Sequence, residues 1–181
     1  AESRVPLVDP GQGIRATVIG ASQFTVQVSG KTIYLPDDSI LPVHNVPTVH
    51  VDMDLSGDID SAAIAERIKS RFDHLDLNAG SRMAIAFTWQ GDPEHARLYA
   101  VGKGIVDAIK DVPNRDEFLL VVIDGDVGRT LGRILHKELD IPRKLISLDG
   151  VQLNELDFVD VGTLLDPPGV VPVVIKSLLF S

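Results

Sequence analysis

The chain of 181 residues contains no cysteine. That excludes disulfides and thiolate metal centres, and it fits a reducing compartment. Aromatic residues are scarce, 5% against 44% hydrophobic overall, so Val, Ile, Leu and Ala must build the core. Cations are short as well: 17 Lys and Arg face 26 Asp and Glu, giving a formal net charge of −9. Such a balance argues against a general nucleic-acid binder, because affinity for phosphate backbones comes from excess Lys and Arg. No apolar run approaches the roughly 18 residues of a membrane-spanning helix, and no signal-peptide pattern is visible. The first residue is Ala1 rather than Met, which reads as a fragment of a longer protein.

What is present is regular patterning. AESRVPLVDPGQG is rich in Pro and Gly, so residues 1–12 read as a lead-in and residues 13–181 as a single α/β domain. IRATVIG and FTVQVSG are β-branched runs separated by the polar link ASQ, which predicts a hairpin, and KTIYL extends the pattern after Gly30. PDDSILPVHN reads as a loop, and VPTVHVDMD as a strand. Ile64, Ile68 and Phe72 recur at helical spacing among charged residues, predicting an amphipathic helix over Ser61–Phe72. MAIAFTW and FLLVVID are nearly uncharged runs of the kind buried on both faces of a sheet. Between them, Asp92-Pro93-Glu94 offers an N-cap, a first-turn proline and a first-turn acid for a helix running to about Lys110. A further helix is predicted over Val127–Leu139, stopped before Pro142, with strands in KLISLDG, DFVDVG and GVVPVVIKSLLF. The expected fold is therefore α/β: a mixed sheet with antiparallel leading strands and alternating αβαβα. That order is shared by the ribonuclease-H-like domain of actin-like ATPases, an analogy of fold that carries no function by itself.

Three stretches could carry chemistry. In VVIDGDVGRTLG a strand breaks into a glycine turn and resumes as a helix, the arrangement that holds phosphate at a helix N-terminus. Its candidate cofactor-binding residues are Asp124, Gly125, Asp126 and Gly128. The glycines fit neither G-x-G-x-x-G nor G-x-x-x-x-G-K-[ST], and the two aspartates would repel phosphate unless a metal intervened. A structural role fits better, with Asp126 as N-cap and with Gly128 and Gly132, one turn apart, bringing the helix close to the sheet.

FVDVGT places Asp160, Gly162 and Thr163 in a D-x-G-T turn, a phosphate-holding arrangement in actin-like ATPases. Its place near the end of the sequence favours a hairpin through LLDPPG instead. DMDLSGDID offers the candidate metal ligands Asp52, Asp54, Asp58 and Asp60, with Gly57 at the bend of a calcium loop. The twelfth position, where a bidentate Glu is required, is Ala63, and the segment entering the loop reads as a strand. The expectation is a strand end leading into a helix capped by Asp60 or Ser61. His50 is placed to face Asp52, while Phe87 and Trp89 share a strand face for packing. The five histidines show no metal spacing and there is no G-x-S-x-G elbow. No catalytic residue and no metal ligand is expected from this residue chemistry.

Taken together, IRATVIGASQFTVQVSGKTIYL, FLLVVIDGDVGRTLGRIL and DFVDVGTLLDPPGVVPVVIKSLLF resemble one family, the ethanolamine ammonia-lyase reactivating factors (EutA). The first and last segments carry the resemblance most specifically, in order, spacing and residue type. It implies the C-terminal domain of a longer, chaperone-like factor that promotes release of damaged cobalamin from adenosylcobalamin-dependent ethanolamine ammonia-lyase. It also implies that lyase as partner, ATP and magnesium as cofactors of the full-length parent, and an actin-like ATPase whose main phosphate loops lie outside this segment. The implied location is cytoplasmic, in association with a bacterial microcompartment, with oligomerisation open. One departure is visible: Leu164-Leu165 follows DVGT where the family usually has Pro-Leu. Two alternatives stand beside this expectation. One is a nucleotide-free module that docks on the lyase; the other is a nucleotide-binding half-domain in which the turns at Asp124–Gly128 and Asp160–Thr163 converge.

Overall fold

A computed structural model describes residues 18–111, 114 and 116–180, with side chains from residue 22 to 177 outside the same gaps. The lead-in at 1–12 and the predicted strand start at 13–17 lie outside the described residues. In chain order the elements are β1 (Val18–Ser29), a 3-10 turn (Asp38–Ile40), β2 (Val43–His50), α1 (Ser61–His74), β3 (Met83–Thr88), α2 (His95–Ile109), β4 (Phe118–Asp124), α3 (Gly128–Arg133) continuing as a π-helical turn (Ile134–Glu138), β5 (Lys144–Asp149), β6 (Phe158–Val161) and β7 (Val170–Phe180).

β2, β3, β4 and β5 lie side by side in parallel, each joined to the next by a helix. Stepping always in one direction with crossovers of one hand puts every connecting helix on the same face. The core confirms this. Ile68 of α1, Ile105 of α2 and Leu131 of α3 pack with Ile85, Val121 and Ile123, whereas the second cluster contains no helical residue. The second face is covered by strands instead. The sheet continues from β2 through β6 and β7 to β1, all antiparallel, and curls so that Val159, Val173 and Val28 share a cluster with Ala86, Leu120 and Leu148. With both faces covered, alternate residues of β3 and β4 both need apolar side chains, which explains their unbroken hydrophobic runs.

Several expectations give way here. The ASQ link does not turn: Ser22 and Gln23 pair with Ser177 and Lys176 in the middle of a continuous β1. Ala21, Ser22 and Gln23 include none of the Gly, Asn or Asp residues that tight hairpin turns favour, and β7 offers them an extended ladder. KTIYL is not a strand; after the turn at Gly30 only Tyr34 bridges Ser147 on β5. The leading strands form no antiparallel meander, because β1 pairs with β7 while β2 pairs with β3 and β6. Asp92 does not cap α2, whose N-cap is Glu94 without a side-chain bond, and α1 extends to His74. Asp60 does cap α1, accepting the Ala62 N–H at 2.9 Å. The expected hairpin through LLDPPG is present, joining β6 to β7 with Gly169 at φ +74.

Candidate functional site

The glycine turn after β4 is built by its neighbours. A Cβ on Gly125 would lie 2.9 Å from Trp89 Cβ, and the Gly125 carbonyl accepts the Gly150 N–H at 3.0 Å. Asp126 is not the N-cap of α3; that position is Val127, which makes no side-chain cap bond. The capping carboxylate comes from β5, where Asp149 accepts the Gly128 N–H at 3.2 Å. Burial pushes the Asp149 carboxyl above its ordinary range, opposed by hydrogen bonds from Thr32 and Gly128 and reinforced by nearby Asp126. The expected close approach of α3 to the sheet is borne out: added Cβ atoms at Gly128 and Gly132 would fall 2.8 Å from Leu148 C and 2.5 Å from Tyr34 Cβ.

The second turn is equally occupied. Asp160 accepts the Asn45 N–H at 2.7 Å and pairs with Lys176 Nζ at 2.7 Å and His44 Nδ1 at 3.5 Å. Asn45 has φ +53 and lies where β2 bulges against β6, so the Asp160 carboxylate anchors a bulge. The Gly162 N–H donates to Pro172 O at 2.8 Å. Two backbone donors that a phosphate would need, on Gly128 and Gly162, are thus committed within the protein. Thr163 is exposed.

The acidic stretch is dispersed rather than convergent. Asp54 accepts from Ser56 N and Oγ at 3.1 and 2.6 Å, Asp60 caps α1, and Asp52 offers its carbonyl to Arg67. Asp58 borders a cleft of about 620 Å³ where the loops after β2 and β3 meet. There Arg97 of α2 donates to the carbonyls of Leu55, Gly57 and Gln90 and lies 5.7 Å from the Trp89 ring. Its donors tie loops together. Among the described residues no group of three or more His, Cys, Asp or Glu is placed to hold a metal.

Another concavity, a cleft of about 650 Å³, lies between the segment after β1 and the face of α3 with its π-helical continuation. Gly30, Ile33, Leu35, Pro36, Leu164 and Val171 supply apolar walls, and Tyr34, Asp38, Arg129, His136 and Lys137 the polar ones. Arg129 and Leu164 each stand one residue beyond a glycine motif, so the structure brings the flanks of both motifs to one cleft.

Tyr34 Oη lies 2.8 Å from His136 Nδ1. His136 sits in the middle of the π-helical turn, on the side that meets Tyr34. Burial raises the Tyr34 hydroxyl above its usual range, and Arg133 and Arg129 pull it partly back. Tyr34 and His136 are 102 residues apart, and only the curl of the sheet unites them. Sequence reading missed this pair and Arg97; the single visible signal was a run of basic residues free of acids, Arg129 to Lys137.

The sequence profile described as "Ethanolamine utilisation protein EutA" matches residues 2–181. The chain belongs to the EutA family. It is 34% identical over 174 residues to the protein of Escherichia coli (strain K12) named "Ethanolamine ammonia-lyase reactivase EutA", covering 94% of this chain and 35% of that relative. The relative of the same name from Salmonella typhimurium (strain LT2) is also 34% identical, over 173 residues, with 94% of this chain and 35% of the relative covered. The chain therefore spans about a third of the length of the EutA relatives it matches. No solved structure matches it. No helix among its described residues is long and apolar enough to cross a membrane.

Proposed function

We propose that this chain is the C-terminal part of a reactivating factor for adenosylcobalamin-dependent ethanolamine ammonia-lyase, and that it contributes the surface that docks on the lyase while damaged cobalamin is released. One observation carries the reading: the EutA match runs from residue 2 to 181, at 34% identity to relatives named as reactivases of that lyase. A docking role is supported by the state of the two glycine turns, whose Gly128 and Gly162 donors serve Asp149 and Pro172. The actin-like ATPase, with its ATP and magnesium, is assigned to the part of the parent outside this segment. The factor then acts beside the lyase, in the cytoplasm or a bacterial microcompartment. A factor of this kind can open its target only by binding the open state more tightly than the closed one, with nucleotide switching that difference.

The test uses lyase inactivated by damaged cobalamin, supplied with intact cofactor, ATP and magnesium. The full-length parent restores activity. A parent lacking this segment retains ATP hydrolysis but restores none. Undiminished recovery without the segment contradicts the proposal.

A further inference from the structure

We infer that the cleft between Tyr34 and α3 is a binding site for a small phosphate monoester with an apolar or aromatic body. The inference rests on the cleft alone and is independent of the reactivase reading.

The first reason is charge. The chain as a whole carries −9, yet this wall inverts the sign. Arg129 and Lys137 line the cleft, Arg133 sits close enough to act on the Tyr34 hydroxyl, and Asp38 is the one acid on the lining. Elsewhere several basic side chains pair with acids, Arg71 with Glu155, Lys103 and Lys110 with Asp107, Lys176 with Asp160, while Arg67, Arg97 and Arg143 spend their donors on backbone carbonyls. Among the described residues Arg129, Arg133 and Lys137 have no acid within ion-pair distance. Glu138, the nearest acid in sequence, is drawn away to His95 at 2.9 Å. A dianion placed here meets donors whose charge is not already compensated, and such charge-assisted bonds are the strong ones.

The second reason is that the wall is fixed. Gly132 lets α3 press against Tyr34, Tyr34 is bridged to Ser147 of β5, and His136 is held by the Tyr34 hydroxyl. The 2.8 Å contact with the Tyr34 hydroxyl engages Nδ1 and leaves Nε2 of the His136 ring without a protein partner among the described residues. Arg129 keeps one guanidinium nitrogen on the Lys31 carbonyl at 2.8 Å, which fixes its direction while its other donors remain.

The third reason is composition. Ile33 and Val171 at the base and Leu35, Pro36 and Leu164 around it supply apolar surface beside the cations, so a bare inorganic anion would leave half the cleft unused. A volume of about 650 Å³ falls within the range of small-molecule sites.

The experiment is a two-dimensional amide NMR titration of the full 181-residue chain with phenyl phosphate. Saturable shifts are expected at Arg129, His136, Lys137 and Leu164, with Kd on the order of 0.1–1 mM. Inorganic phosphate alone and phenol alone are each expected to bind at least about tenfold more weakly. Lys137→Gln, which removes a side chain with no partner among the described residues, is expected to weaken phenyl phosphate about tenfold while leaving the spectrum otherwise unchanged. Arg129→Gln should weaken binding at least as much, with spectral changes near Lys31 from the lost hydrogen bond, and Arg82→Gln, on a distant surface pair with Glu117, should leave binding unchanged. Absence of saturable shifts at concentrations on the order of 10 mM, unchanged affinity in Lys137→Gln, or phenol binding as tightly as phenyl phosphate would each overturn the inference.

Discussion

The carboxylate of Asp160 is largely buried on the β6 ladder, and its three partners decide its ionisation. Burial pushes its proton affinity up, but the Asn45 N–H, Lys176 and His44 outweigh this and hold the group below the ordinary aspartate range. A group depressed in the folded state contributes stability above its unfolded pKa and loses it as pH falls through the folded value. Asp160→Asn keeps an acceptor for Asn45 but gives up the charge that Lys176 pairs with. It is expected to lose about 1–2 kcal/mol at pH 7. The gap to the unmodified protein should persist to pH 5 and shrink only below about pH 4. Urea unfolding at a series of pH values measures it; equal stability at pH 7 would contradict the anchoring role. D-x-G-T was legible as a motif, but the Asp160 role was not, because Asn45 and Lys176 lie 115 and 16 residues away along the chain.

At the scale of elements, α1 and α2 meet at a glycine. A Cβ on Gly104 would lie 2.5 Å from Ile64 Cγ2 and 2.9 Å from the Ser61 carbonyl oxygen. Alanine in a helix interior is ordinarily favoured over glycine by about 1 kcal/mol, but overpacking against a backbone oxygen costs about 1–3 kcal/mol. The contact should decide the sign. Gly104→Ala is expected to lower the urea midpoint, by a net loss of up to about 2 kcal/mol, and a raised midpoint would show that the helices can part without cost. Element existence was legible wherever the pattern was strong. Ile64, Ile68 and Phe72 marked α1, and FLLVVID marked β4, because local periodicity reports burial directly. The hairpin expected at ASQ and the meander expected from the first strands failed for one shared reason. β1 takes its partner from the far end of the chain, and no local signal in VIGASQFTVQVS points to VVPVVIKSLLF.

For the whole molecule, the one-way order of the parallel strands explains its two unlike layers, helices on one face and curled antiparallel strands on the other, and the cleft takes Arg129 from the first layer and Leu164 from the second. The family was legible in the segments that form β1, β4–α3 and β6–β7. The cleft was not legible, since Tyr34 and His136 belong to it only after the sheet has closed. On the function proposed above, this EutA segment docks on the lyase without nucleotide. The decisive measurement is isothermal titration of the chain into ethanolamine ammonia-lyase, with and without ATP and magnesium. Saturable binding with the same affinity is expected in both conditions. Binding that appears only with ATP and magnesium, or no binding in either condition, would contradict it.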